Sequence, residues 1–314
     1  MKKILLILFV ACGFFLKATA QDDLLGGLMK EDSSKIKQNV TTATFKSTRI
    51  VNMQSVELTG KGNLEFMVSH HFGDFWKEGA GIKNLAQLFG FNAGAATTYL
   101  SFDYSVKDWM NFGIGLTGDS KYEPWAKFRL MRQQSGVKNI PVTVVYFALT
   151  SIDATDGPSP DDNTWNRFSF MHQLLIARKF SESFSLQLNP TYIHYNTVPY
   201  GINNVNNIFS MGLGGRYKLS HKTAITFEYS HQFNGYKNLL DESASAVNYV
   251  PDLISLGYDW DTGGHIFQFF FTSTTSSQNI AQLTTNTSDF KKGNFSLGFT
   301  INRSYGIKKV VATH

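Results

Sequence analysis

Apolar and polar residues alternate with period two in segment after segment between Asn63 and Tyr305. That is the pattern of strands whose two faces meet different surroundings. Within Trp165–Lys179, Phe168, Phe170, Leu174 and Ile176 share a face opposite Arg167, Ser169, Gln173 and Lys179. In Phe184–Tyr195, Phe184, Leu186, Leu188 and Tyr192 oppose Ser185, Gln187, Asn189 and Thr191. In Asn206–Leu219, Phe209, Met211, Leu213, Tyr217 and Leu219 oppose Ser210, Gly212, Gly214 and Arg216, and in Asn294–Tyr305, Phe295, Leu297, Phe299 and Ile301 oppose Ser296, Gly298, Thr300 and Asn302.

Read this way, the chain predicts about twelve strands, at 63–71, 96–105, 109–117, 122–132, 140–150, 165–179, 183–194, 206–219, 222–232, 252–261, 264–273 and 294–303. Turn pairs such as Lys107-Asp108, Gly118-Asp119, Ser181-Glu182, Leu219-Ser220 and Gly263-Gly264 separate several of them. A face such as Ser210/Gly212/Gly214/Arg216 set against a dry core would leave voids and a buried charge. The alternation therefore predicts Phe and Leu faces toward lipid and polar faces toward a wet interior. From 179 onward the links alternate short and long, with long ones at 195–205, 233–251 and 274–293, the rhythm of outer-membrane barrels. The fold class expected is all-β: an antiparallel transmembrane β-barrel closing as an up-and-down meander.

Ahead of the barrel, Lys2-Lys3, the apolar run Ile4–Leu16 and Ala18-Thr19-Ala20 have the layout of a secretory signal peptide cleaved after Ala20. That run is too short to span a bilayer as a helix. Cys12, the only cysteine, lies inside it; Val10-Ala11 before it is a weak lipoprotein cue, but the residues after it stay apolar. The signal would also remove Lys2, Lys3 and Lys17 from the 29 basic residues, leaving 26 against 24 acids. The basic excess then nearly vanishes and gives no support for nucleic-acid binding. The expected organisation is 1–20 signal, 21–60 a periplasmic extension or lumen plug, 61–305 the barrel and 306–314 a tail. Ile82, Leu85, Ala86 and Phe89 have helical spacing in the first long link.

Inward candidates by alternation are Glu65, His71, Asp103, Lys127, Arg129, Arg167, Lys179, Arg216, Glu228 and Asp259. They could form a charged solute pathway or a cross-strand network that fills the interior. Aromatic-girdle candidates are Phe72, Phe75, Trp76, Trp109, Trp165, Tyr192, Tyr217, Trp260 and Tyr305. In Met67–Trp76, His70 and His71 are strand neighbours and point to opposite faces, so they cannot chelate one ion together. Gly73-Asp74 reads as the turn that ends this strand.

Catalytic chemistry has little to draw on. His172, His194 and His231 fall on apolar faces or strand ends, Ser230 and His231 diverge as strand neighbours, and no Gly-x-Ser-x-Gly elbow occurs. Metal-binding patterns of the Cys-x-x-Cys or His-Glu-x-x-His type are absent from the sequence, and Asp153, Asp156, Asp161 and Asp162 lack the spacing of a calcium loop. No cofactor and no enzymatic activity are expected.

Phe45–Trp76 resembles the N-terminal signature of a family of uncharacterised β-barrel proteins from Bacteroidetes-type bacteria. Leu88-Phe89-Gly90, Asp103-Tyr104, Phe112-Gly113-Ile114-Gly115 and Lys127–Gln133 are similar to later parts of it. The likeness covers most of 44–303. It implies a barrel in the outer membrane of a Gram-negative cell and no activity, ligand or catalytic set. Here His71 stands where the family more often has arginine, and the chain ends in GIKKVVATH rather than on an aromatic. The expected partners are outer-membrane lipid, the barrel-assembly machinery and a periplasmic protein met through 21–60, with the chain itself monomeric. Two functions stay open: a passive small-solute pore, or a non-conducting structural or partner-docking envelope protein.

Overall fold

The computed structural model describes residues 38–76, 82, 85, 96–155, 163–198, 205–234 and 250–307. The signal segment, the end of the tail and most of the 77–95 link with its helical spacing lie outside these residues. Twelve antiparallel strands, each paired with its neighbours in sequence, close into one barrel. They are β1 (Asn63–Trp76), β2 (Thr97–Lys107), β3 (Met110–Thr117), β4 (Lys121–Met131), β5 (Thr143–Asp153), β6 (Phe168–Lys179), β7 (Phe184–Tyr195), β8 (Asn207–Lys218), β9 (Thr223–Gln232), β10 (Leu253–Asp261), β11 (Ile266–Thr272) and β12 (Phe295–Gly306). Pairing of β12 with β1 shuts the ring, from Phe295 opposite Trp76 to Gly306 opposite Asn63. Closure removes the sheet edges whose unpaired N–H and C=O groups a bilayer could not satisfy. A separate short ladder pairs Asn39 with Ser135 and Val40 with Gln134, with the Gln38 amide donating to Ser135 O.

The two faces divide as the alternation predicts. Along β1, Glu65, Met67, Ser69 and His71 are buried inside, whereas Leu64, Phe66, Val68 and His70 face outward. Large apolar residues cover the outside, including Leu100, Phe102, Ile114, Phe209, Leu256, Phe269 and Phe271. The links from β6 onward alternate short and long as expected. Earlier in the chain, β3 and β4 are joined by a tight turn at the end that carries the long loops.

Three expectations are corrected. Gly73-Asp74 does not turn the chain; β1 runs on to Trp76, and register shifts opposite Phe295–Gly298 absorb the irregularity. Arg167 is not in a strand: it ends a 3-10 turn, Thr164–Arg167, capped by the Asn163 side chain. The interior is not an open aqueous space, because two segments fold into it.

The first of these is an inserted hairpin. Thr44–Val56 is buried apart from Lys46. Ile50 N donates to Met53 O and Ser55 N to Thr48 O, both at 2.9 Å, leaving Val51-Asn52 at the tip. The returning arm passes Gly60 and Gly62, at φ of 84° and 79°, a left-handed backbone that glycine adopts without strain, and so enters β1. The second segment is the β11–β12 link. Residues 273–294 bring a short helix, α1 (Ala281–Thr284), and a largely buried Ser/Thr/Asn/Gln surface into the opposite mouth.

Candidate functional site

The hairpin's seat is the candidate site. A buried turn has backbone groups that must find partners, and here the barrel wall supplies them. On β9, Glu228 accepts three backbone N–H groups at the tip: Val51 N at 2.7 Å and Met53 N at 2.8 Å on one oxygen, and Asn52 N at 3.0 Å on the other. Across the lumen on β4, the Lys127 ammonium does the converse, donating to Thr48 O at 2.9 Å, Ser55 O at 3.1 Å and Glu57 O at 3.4 Å. Gln187 on β7 acts as a strand would. Its Oε1 accepts from Val56 N at 2.9 Å and its Nε2 donates to Gln54 O at 2.7 Å. Gln268 on β11 donates to Ile50 O at 2.7 Å.

Hairpin side chains dock where the wall has none. A Cβ at Gly212 would lie 2.6 Å from Met53 Sδ, one at Gly214 2.4 Å from Ile50 Cδ1, and one at Gly257 2.9 Å from Val51 Cγ2. These inward glycines form a socket for the three apolar side chains of the tip, a close approach that only a missing Cβ allows. Read in sequence, the polar Ser210/Gly212/Gly214/Arg216 face predicted water; in the structure it meets Ile50 and Met53.

The hairpin also touches the loop from the opposite mouth. Gln54 Nε2 donates to Asn279 Oδ1 at 3.0 Å, and Asn279 Nδ2 donates to Glu123 Oε2 at 2.6 Å and to Tyr99 OH at 3.1 Å. The Arg49 guanidinium lies 4.6 Å from the centre of the Tyr99 ring. Beyond this junction, a polar cavity of about 440 Å³ lies between the loop and the wall, lined in part by Lys121, Asp153, Arg167 and Gln278.

The inward candidates are distributed over this arrangement. Glu65 accepts from Thr48 Oγ1 at 2.7 Å, and Asp103 accepts from Trp125 Nε1 at 3.0 Å. Asp259 lies 3.8 Å from Arg216 Nε and accepts from Gln268 at 2.9 Å. Arg129 reaches Asp108 O and Val56 O near the short-turn end. At that same end Lys179 pairs with Glu182 at 2.9 Å. Arg167 sits at the opposite mouth, donating to Asp153 O. His71 is buried against Phe270, their ring centres 5.0 Å apart. Thus Glu65, Lys127, Arg129 and Glu228 converge on the hairpin, whereas Arg167 and Lys179 stand at opposite ends.

Girdle candidates face outward in two groups. Phe72, Phe75, Trp76, Trp165 and Tyr192 lie toward the long loops; Trp109, Tyr217, Trp260 and Tyr305 lie toward the short turns. The outward histidines are tied to neighbours: His172 Nδ1 to Tyr146 OH, His194 Nδ1 to Asn207 Oδ1 and His231 Nδ1 to Asp252 Oδ1, each at 2.7 Å. No group of three or more His, Cys, Asp or Glu able to hold a metal occurs among the described residues. Asp156, Asp161 and Asp162 lie outside them.

Sequence reasoning offered a lumen plug within 21–60 as one alternative, but it did not define the hairpin or single out its ligands Gln187 and Gln268, nor Tyr99, Glu123 and Asn279. The available signal was the run of inward glycines, which marks a close approach but not by what.

Comparison with known proteins bears on the fold. No curated protein matches the sequence. Among solved structures, the chain is similar to the NanC porin, with a TM-score of 0.47 and 7% identity over 77% of this chain and 98% of that one. An outer membrane channel from Pseudomonas putida F1 gives 0.47 and 14% over 79% and 97%, and the KdgM porin 0.43 and 6% over 77% and 98%. The barrel assignment rests on the strand pairing above rather than on these distant likenesses. The model of one family, described as a membrane bound beta barrel domain, matches residues 45–305, from the start of the inserted segment to the end of β12. The chain belongs to that family, the membrane bound beta barrel domains designated DUF5777.

Proposed function

We propose that the protein is a porin-like channel of a Gram-negative outer membrane, Bacteroidetes-type by the resemblance above. In this reading residues 44–58 are a plug that holds the lumen shut at rest, and small solutes pass when it withdraws. The observation that carries the reading is the chemistry of the seat. A permanently filled interior is most stable when apolar, since burying ionised groups costs several kcal/mol each before pairing. The wall behind the hairpin instead offers Glu228, Lys127, Glu65, Asp103, Gln187 and Gln268. Such a surface tolerates water once the hairpin has left.

The second reading is a non-conducting structural or docking protein, and the specific observation in its favour is that 273–294 fills the other mouth as well. In either case the chain acts as a monomer without cofactor or catalysis, is delivered by an N-terminal signal and inserted by the assembly machinery. Planar-bilayer recording separates the two. Ile50→Asp/Met53→Asp places two charges in the glycine socket and leaves the barrel wall unaltered; heat-modifiable gel mobility checks folding. The channel reading expects the wild type to stay near leakage and the variant to open in discrete steps. Leakage-level current from a folded variant would favour the second reading.

A further inference from the structure

The seat grips polypeptide backbone at more points than side chains, and this points to what else could occupy it. Glu228, Lys127, Gln187 and Gln268 all address main-chain N–H or C=O groups of the hairpin. Asn189 adds a second donor to Gln54 O at 3.2 Å. Of the side chains that enter the wall, Ile50, Val51 and Met53 do so at three glycines, whose open pockets select for small to medium apolar groups, while Asn52 Nδ2 donates to Ser255 Oγ at 2.8 Å and Thr272 Oγ1 at 3.2 Å and Thr48 Oγ1 donates to Glu65 at 2.7 Å. A carboxylate gathering three successive N–H groups and an ammonium gathering three C=O groups from the two arms is a receptor for a peptide turn. Neither a sugar nor an inorganic ion presents that sequence of donors and acceptors.

We infer that the lumen is a peptide-binding site, that the hairpin occupies it as an internal stand-in, and that the ligand class is a short peptide bearing a reverse turn with apolar side chains at the tip. The inference rests on the proposed withdrawal of the hairpin. Ligand and hairpin compete for one seat, so peptide binds only when residues 44–58 are out, and bound peptide restores closure.

The test uses the full chain carrying Ile50→Asp/Met53→Asp and a fluorescent synthetic peptide with the natural sequence of residues 44–58. Anisotropy titration is expected to show saturable binding to the variant and none to the wild type. Added peptide is expected to block the variant's current. A second peptide, N-methylated at the positions of Val51, Asn52 and Met53, keeps every side chain and loses the three N–H groups; it is expected to bind at least about tenfold more weakly. A peptide with alanine at the position of Gln54, whose side chain donates one hydrogen bond to the loop at Asn279, is expected to bind within a fewfold of the parent, and disaccharides are expected not to compete. Failure of the parent peptide to bind the folded variant would overturn the inference, as would equal binding of the N-methylated form. Conductance is read separately. A variant that conducts but ignores peptide leaves the channel reading standing and removes this one, whereas a variant that binds peptide without conducting does the reverse.

Discussion

Replacing Glu228 by alanine tests the lock at its tip. In the seated state the carboxylate accepts from Val51 N, Asn52 N and Met53 N at 2.7–3.0 Å. Truncation leaves those three buried N–H groups without an acceptor, at about 1–3 kcal/mol each, or about 3–9 kcal/mol in all. Two effects reduce the net change: the variant no longer buries a carboxylate, and water can enter the space left behind. The lower end, about 3 kcal/mol, is therefore expected, which multiplies the ratio of released to seated hairpin by about 10². Hydrogen exchange reads this directly. The amides of residues 47–56 should exchange about 10² faster in Glu228→Ala, while those in β6 and β7 keep wild-type protection. Unchanged protection of 47–56 in a folded variant would refute the argument that Glu228 holds the tip.

Further expectations concern the socket, the junction and the membrane face. Gly214→Val forces a side chain onto Ile50 Cδ1, which a Cβ alone would already approach to 2.4 Å; overpacking of about 1–3 kcal/mol should raise protease cleavage within 44–58, and wild-type resistance would contradict the socket. Asn279→Ala removes the links to Glu123, Tyr99 and Gln54, so exchange in 274–294 and in the hairpin should rise together; a rise confined to the loop would show that the two segments are not coupled. Trp76, Trp109, Trp165 and Trp260 are exposed on the outer surface, whereas Trp125 is buried beside Asp103. In brominated-lipid vesicles, changing the four outer tryptophans to phenylalanine should therefore abolish most quenching; quenching of the remaining Trp125 equal to that of the wild type would contradict the assignment of faces.

The barrel wall was legible because a strand between lipid and lumen writes its two environments into the chain with period two. Phe168/Phe170/Leu174/Ile176 against Ser169/Gln173 reveals both the strand and its facing. The hairpin has no such signature. Phe45–Val56 is buried apart from Lys46, so its sequence, FKSTRIVNMQSV, mixes polar and apolar residues without a period, and its partners are scattered over β4, β7, β9 and β11. The lumen glycines showed the same limit, since a missing side chain reads equally as a water-lined wall or as room for a neighbour. Gly73-Asp74 misled for a local reason: the pair is a frequent turn signal, but a strand crossing a register shift uses glycine as well. Glu228 and Lys127 were identifiable as inward charges. Their shared task was not, because neither pairs with the other; each binds main chain that lies 70 or more residues away in sequence.

The central claim, that residues 44–58 close an otherwise hydrated lumen, is tested most directly by osmotic swelling of liposomes carrying the wild-type protein or Glu228→Ala in a solution of a small neutral sugar. Closure by the hairpin predicts that wild-type liposomes swell no faster than empty ones and that the variant swells measurably faster. Equal rates for the two proteins, whether both fast or both at the empty-liposome level, would contradict it.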